Sequence, residues 1–449
     1  MKPLLIQSLR FPILAVVLLF QTDQNQLYSK SPTTNFKLHR SSDLGWKKNQ
    51  DITEPFQKLV ADKKLKSGDE LRLEQKFRIS GSHSLPDNFK LSAIKGADLN
   101  VIDAAKPTSS RALFELGNNC SIENLTINYL NTPPLGPTGE KHEVHFTRRL
   151  GIQAKGKKNL RIKNCRLVGS IGHHLRLTQC SNIEVTGTHV AGGHWSILLT
   201  NCDQLVFRNC LIEKCQGDGI KTGGGAGGAV RNVLVENCVF QDNLRDGIDT
   251  TGGFNHSIIR KSIFRRLGVS GLDLKSHYES RTGNIDDLAP ENVGILVEDC
   301  LFHDMPNALV ITTLDAGRRK GPEHALLNAK NMKKYAAHDI EVRDCIVGHA
   351  EKPLRPAKEG GYGVNYPSNK GEHMRLILFK DAYDVRYSNI RLSGERINPI
   401  QIGSIGGSNH LTQEAANAIK PTISGTISKE PAPPIKPGQT DIPFPIGPQ

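Results

Sequence analysis

The chain has 449 residues, 37% of them hydrophobic and only 6% aromatic, with 42 glycines and a formal charge of +13. This supplies a sizeable core for one long domain or two ordinary ones, and many Gly, Asn and β-branched residues with few aromatics argue against a helical bundle. The basic balance implies an acidic partner: nucleic acid, anionic lipid or an acidic polysaccharide; without zinc-finger spacing, a basic helix or an aromatic-and-basic RNA-binding signature, nucleic acid is the weakest of the three.

At the N-terminus, Lys2 and Arg10 precede an apolar run from Phe11 to Phe20, followed by polar residues. This is the pattern of a secretory signal. The run is shorter than the ~20 residues of a membrane span, but no clear A-x-A cleavage site follows, so an uncleaved anchor over 1–22 is the alternative. No other segment offers a span. The expected layout continues with a loosely ordered leader over 23–49, a folded domain over 50–418, and a disordered Pro-rich tail over 419–449. An exported monomer is expected: periplasmic, cell-surface or extracellular.

Within the folded region one frame recurs: "RIKNCRL" (161–167), "VFRNCLI" (206–212), "LVENCVF" (234–240), "IIRKSIF" (258–264), "LVEDCLF" (296–302) and "EVRDCIV" (341–347). It reads aliphatic, polar, Asn or Asp, small, aliphatic. Taking Cys165, Thr188, Cys210, Cys238, Ser262, Cys300 and Cys345 as equivalent, the gaps are 23, 22, 28, 24, 38 and 45 residues. The short gaps suit one turn of a β-solenoid, and the long ones require loop insertions. No unit can bury its own apolar face, so the units must stack, each strand pairing above and below at about 4.8 Å. The alternation by two in "NVLVENCVF" excludes helical repeats. Asn164, Asn209, Asn237, Asp299 and Asp344 are expected to form a side-chain ladder at a turn.

These repeats resemble the right-handed parallel β-helix proteins of the pectate lyase-like superfamily, over roughly residues 50–400, with 67–103 similar to the first coils of that fold. The expected class is all-β: a right-handed parallel β-helix with loop insertions. Five of the nine cysteines fill the same small slot of the repeat, which predicts an inward stack of thiols; one or two disulfides are the alternative, though an odd count leaves at least one thiol unpaired. The insertion 315–334 is expected to hold a short helix beside the groove; a solvated loop is the favoured reading of its Arg318, Arg319 and Lys320, and contact with an anionic chain the alternative.

The second strand of each coil aligns as "HLRLT" (174–178), "SILLT" (196–200), "GIKTG" (219–223), "GIDTT" (247–251), "GLDLK" (271–275) and "ALVIT" (308–312). If Leu175, Ile197, Ile220, Ile248, Leu272 and Leu309 point inward, the next residues form an outward column: Arg176, Leu198, Lys221, Asp249, Asp273 and Val310. A second column includes Lys275. Asp218 and Asp246 fall at its edge, His174 and His194 precede equivalent strands, and His277 follows Lys275. Like-charged carboxylates on neighbouring strands repel. Compensation comes from a cation such as Ca²⁺, from a shared proton, or from Lys221 and Lys275 in a plain ion ladder.

In the pectate lyase-like group, the outer face of one sheet is the sugar-binding groove. "DGIKTGGG" with "RDGIDTTGG" resembles its calcium-dependent lyases. That resemblance implies β-elimination on a uronate-containing polysaccharide, with Lys221 as base, Asp218, Asp246 and Asp249 holding Ca²⁺, and Arg176 meeting a substrate carboxylate. Asp249, Asp273 and Lys275 complete the candidate catalytic set, and His174, His194 and His277 join Arg176 as candidate substrate contacts. The order departs from the family's, in which the Asp cluster precedes the base, and a lysine beside carboxylates needs metal capture of those aspartates to act as one. Two alternatives stay open: a glycoside hydrolase using paired Asp residues, although the polygalacturonase motifs are not recognisable here, and a non-catalytic carbohydrate-binding or surface β-helix.

Overall fold

The computed structural model describes residues 37–104, 111–135, 146–223, 229–251, 253–278, 292–315, 325–349, 374–394, 397–402, 414, 417–419 and 422–432. Every strand pairing among them is parallel, and each strand pairs with its counterparts one coil above and below. On the first face, Ile162, Val185, Phe207, Val235, Ile259, Val297 and Val342 are in register. On the second, Leu167, Val190, Ile212, Phe240, Phe264, Phe302 and Val347 are. On the third, Leu175, Ile197, Ile220, Ile248, Leu272 and Leu309 are. The polypeptide winds as a three-faced parallel β-helix around one apolar core, as the repeats predict.

The repeat frame is the corner between the first two faces. In "RIKNCRL", Ile162 ends one strand, Leu167 lies in the next, and Asn164 between them takes a left-handed backbone (φ 52°). Asn209, Asn237, Asp299 and Asp344 do the same at φ 53–55°. Asn and Asp tolerate this conformation better than other residues with a Cβ. Gly187 and Lys261 occupy the same corner and interrupt the column, so its Asn/Asp hydrogen bonds lie at its ends, Asn164 to Asn124 and Asn389 to Asp344. A continuous ladder runs at another corner instead, through Asn88, Asn119, Asn159 and Asn182. Asn159 has φ 59° and bonds both neighbours at 2.6 Å. Asn159→Ala should therefore cost about 1–2 kcal/mol, read as a lower urea midpoint at unchanged slope.

Inside, Phe240, Phe264 and Phe302 stack with centroids 4.9 Å apart. They explain the glycine in "RDGID" and "VSGLD". A Cβ on Gly247 would come within 2.7 Å of Phe264, and one on Gly271 within 2.6 Å of Phe302. All nine cysteines are free and buried. Cys165, Cys210 and Cys238 each donate from Sγ to a carbonyl of the preceding coil, and burial pushes the Cys165 thiol up to about 12. The inward thiol stack is what forms.

The coil stack extends beyond the 50–418 boundaries. Strand Lys37–Arg40 pairs with Asp69–Leu73, and Trp46 is buried, so the leader joins the domain from Lys37 onward. At the other end, strand Ile423–Ile427 pairs with Tyr383–Ser393. The short helix expected near 315–334 is found at Met332–Tyr335, but it packs with Leu327 and Ile419 near Tyr383 on the first face, away from the charged column; Arg318, Arg319 and Lys320 lie outside the described residues. So does the N-terminal apolar run, and among the described residues no helix is long and apolar enough to cross a membrane.

Candidate functional site

Strand register assembles the charged column on the third face. Arg176 pairs with Leu198, Leu198 with Lys221, Lys221 with Asp249, Asp249 with Asp273, and Asp273 with Val310. Lys275 pairs with Thr312 one pleat further on. The column is not an open ladder, however. Asp218, Asp246, Asp249 and Asp273 are all 0% exposed, and the parts that reach the surface are Lys221, Lys275 and Arg245. These cations cap the carboxylates. Lys221 Nζ donates to Asp249 and to Thr251 Oγ1 and lies 3.7 Å from Asp218. Lys275 Nζ lies 2.5 Å from Asp273 and 3.2 Å from Asp249. Arg245 approaches Asp218 at 3.7 Å and Asp246 at 3.9 Å.

The carboxyls differ in electrostatics. Burial pushes Asp246 well above the usual carboxylate range, and the charges of Asp218, Asp273 and Asp249 add to the rise against Arg245. Ser270 donates a hydrogen bond to its Oδ1, while its buried Oδ2 has no hydrogen-bond partner among the described residues. For Asp249, burial also favours the neutral form, but Lys221, then Lys275 and Arg245, overrule it and hold the group well below the usual range. Thr251 donates a further hydrogen bond to it. Four buried carboxyls face three side-chain cations. A single buried assembly thus holds an acid beside an ionised carboxylate, and one oxygen from each of Asp218, Asp246 and Asp249 falls within 4.8 Å of the others.

Beside this cluster lies an aromatic run. Trp195 is partly exposed; His173 stacks on it at 5.8 Å, His194 meets it at 4.7 Å, Phe146 stacks on His194 at 4.3 Å, and Lys221 Nζ sits over the indole at 5.5 Å. Burial lowers His194 to about 4, with Asp218 opposing, so it is neutral at pH 7. The other expected contacts separate. Arg176 is half-buried on the third face, two strands from Lys221. His174 is corrected: it points into the core, fully buried, with Nε2 on the carbonyls of Gly169 and Ala191 and its value depressed to about 3 by burial, so it cannot meet a ligand. Strand alternation breaks at this point: the N–H groups of His174 and Leu175 both bond the Ser196 carbonyl and both side chains are buried, which leaves His173 half-buried beside Trp195. His277 lies on strand Ser270–Tyr278, but its side chain is outside the described residues.

The family described as "right handed beta helix region" matches residues 117–285, the part of the chain that holds this cluster. The chain is a right-handed parallel β-helix protein. Its hand is the one that strand–crossover–parallel-strand connections almost always adopt. The β-helix protein is similar in fold to the surface protein and adhesin PfbA of Streptococcus pneumoniae (13% identity over 87% of this chain and 100% of that one, TM-score 0.55). It is equally similar to a polygalacturonase from Erwinia carotovora ssp. carotovora (13% identity over 80% and 96%, TM-score 0.55). No curated protein matches it in sequence. In this β-helix protein, Arg245, Trp195 and Ser270 join the cluster without having been singled out from the sequence, whereas Thr251 joins it from the strand frame "GIDTT", in the same outward column as Lys275. Arg245 was visible in the quoted "RDGID". Trp195 lies in the loop before strand Ile197–Thr200 and Ser270 opens strand Ser270–Tyr278; neither was legible as a partner, because each meets the cluster across coils.

Proposed function

We propose that this β-helix protein is an exported glycoside hydrolase acting on an acidic polysaccharide, with Asp246 as general acid and Asp249 as the ionised carboxylate. The observation that carries this reading is the opposed displacement of the two neighbouring carboxyls, the usual signature of an acid/base division of labour. Asp246 would give its proton, from the unbonded Oδ2, to the glycosidic oxygen, while Asp249 meets the developing positive charge at the anomeric carbon. Trp195 offers an apolar ring for a sugar face, and Lys221 and Arg245 offer cations for a uronate carboxylate. Substrate would reach the carboxyls by displacing the Lys221 and Lys275 side chains. The basic N-terminal pattern before Phe11–Phe20 supports export.

β-Elimination is less well supported. Lys221 Nζ is engaged as a donor to Asp249 and Thr251 inside the cluster rather than open to a substrate proton. A calcium ion takes 6–8 oxygen ligands; Asp218, Asp246 and Asp249 each bring one oxygen within 4.8 Å of the others, and Lys221 and Arg245 compete for them. The hydrolase reading assigns no step to such an ion.

A second reading is favoured by the complete burial of the carboxyls: a closed ion cluster that staples three coils of a carbohydrate-binding surface protein. Incubation with polygalacturonate separates the two. Hydrolysis predicts new reducing ends without absorbance near 235 nm. Absorbance that disappears with chelator would instead establish elimination, and neither product would leave the binding role.

A further inference from the structure

The first face carries a hollow that the charged column does not explain. It has a volume of about 660 Å³, within the ~300–1,000 Å³ of ordinary ligand sites. Its lining includes Arg231, Lys333, Lys334, Asn255, His338 and Tyr383, and no carboxylate. Register builds it: Arg231 pairs with Asn255, and His338 with Tyr383 two coils further along. The helix Met332–Tyr335 brings in the two lysines. Tyr383 fixes that helix by donating from its hydroxyl to the Lys333 carbonyl at 2.7 Å, and its ring stacks on His338 at 4.6 Å, 6° from parallel. Arg231 and Lys333 are both exposed. The carboxylate nearest in register, Asp203, accepts a hydrogen bond from Asn232 at 2.7 Å.

We propose that this hollow is a second binding site, on a different face from Asp246 and Asp249, for the anionic residues of an acidic sugar chain. Arg231 supplies a planar fork suited to a carboxylate or sulfate, and Lys333 a second positive charge. The His338–Tyr383 ring pair forms a wall against which sugar C–H groups pack, while Asn255 contributes amide polarity. An isolated inorganic anion would use the cations but not the rings. The site is independent of the hydrolase reading, because none of its residues belongs to that cluster.

The test is calorimetric titration of the full chain carrying Asp246→Asn, to prevent turnover, with trigalacturonate. Arg231→Ala/Lys333→Ala is introduced in the same background. Both side chains are exposed, so the double variant should fold with an unchanged melting temperature. The expected result is about tenfold weaker binding, or loss of one binding class, in the double variant, together with weakening of the intact site as salt rises. Tyr383→Leu should weaken trigalacturonate by a larger factor than inorganic phosphate, because it removes the ring wall in addition to the hydroxyl that holds the Lys333 helix. The proposal is overturned if trigalacturonate binds the double variant undiminished, if neutral maltotriose binds the intact hollow equally well, or if phosphate alone competes as strongly as the trisaccharide. In the Asp246-containing protein, Arg231→Ala/Lys333→Ala should leave the rate on a short substrate unchanged. Failure to detect any turnover would count against the hydrolase reading while leaving this one intact.

Discussion

Asp246→Asn should abolish turnover while leaving the fold as stable as before or more so. Asn has the shape of the protonated carboxyl, and its Oδ1 can accept the Ser270 hydrogen bond. It has no proton to give, so a general-acid contribution of about 10²–10⁴-fold in rate is removed. The stability half follows from linkage. The folded value of Asp246 lies above its ordinary 3.8, so the folded state holds a proton that the unfolded chain has released. Stability therefore falls as pH rises from about 3.8 through the raised folded value. The Asn variant does not titrate, and urea melts between pH 4 and pH 8 should show that fall in the native protein and not in the variant. Full activity in the variant would remove Asp246 as the acid; a parallel fall would mean that Asp246 is ionised throughout.

Asp249→Asn should behave in the opposite way. Asp249 is the carboxylate on which Lys221 and Lys275 converge, and neutralising it leaves two ammonium groups pressed together in a buried site. Breaking a buried ion pair by removing one partner costs about 3–5 kcal/mol, so a large drop in the denaturation midpoint at pH 7 is expected, together with loss of turnover. The folded value of Asp249 is depressed. Its contribution is therefore fully present above the ordinary 3.8 and is lost as pH falls through the lower folded value. Native and variant stabilities should converge at strongly acidic pH. Equal stability of the two proteins at pH 7 would show that the lysines do not depend on this carboxylate. The pair of variants also separates the two readings of the cluster, since a purely structural staple predicts the stability effects without any enzymatic loss to measure.

The sequence carried the fold because a β-helix is written in short range. Each coil needs a left-handed corner, an inward aliphatic at every second position and a small buried slot. Asn164, Ile162 and Cys165 display all three within four residues, and the repeat then places Lys221, Asp249 and Asp273 side by side although 28 and 24 residues separate them. The sign and position of the charges were thus determined locally. Their state was not. Whether the column is exposed or sealed depends on side chains that approach from other coils and loops: Arg245 on Asp218 and Asp246, Ser270 on Asp246, Lys275 on Asp249. The same holds for His174, which is buried next to an equally buried Leu175 because both backbone N–H groups bond the Ser196 carbonyl of the next coil and the two-residue alternation is interrupted there. The hollow at Arg231 and Lys333 joins residues about a hundred positions apart through an insertion that the repeat does not encode. Register is a property of neighbouring residues and survives in the linear sequence, whereas burial, and with it the protonation of Asp246, is a property of everything that packs around a group and exists only once the coils are stacked.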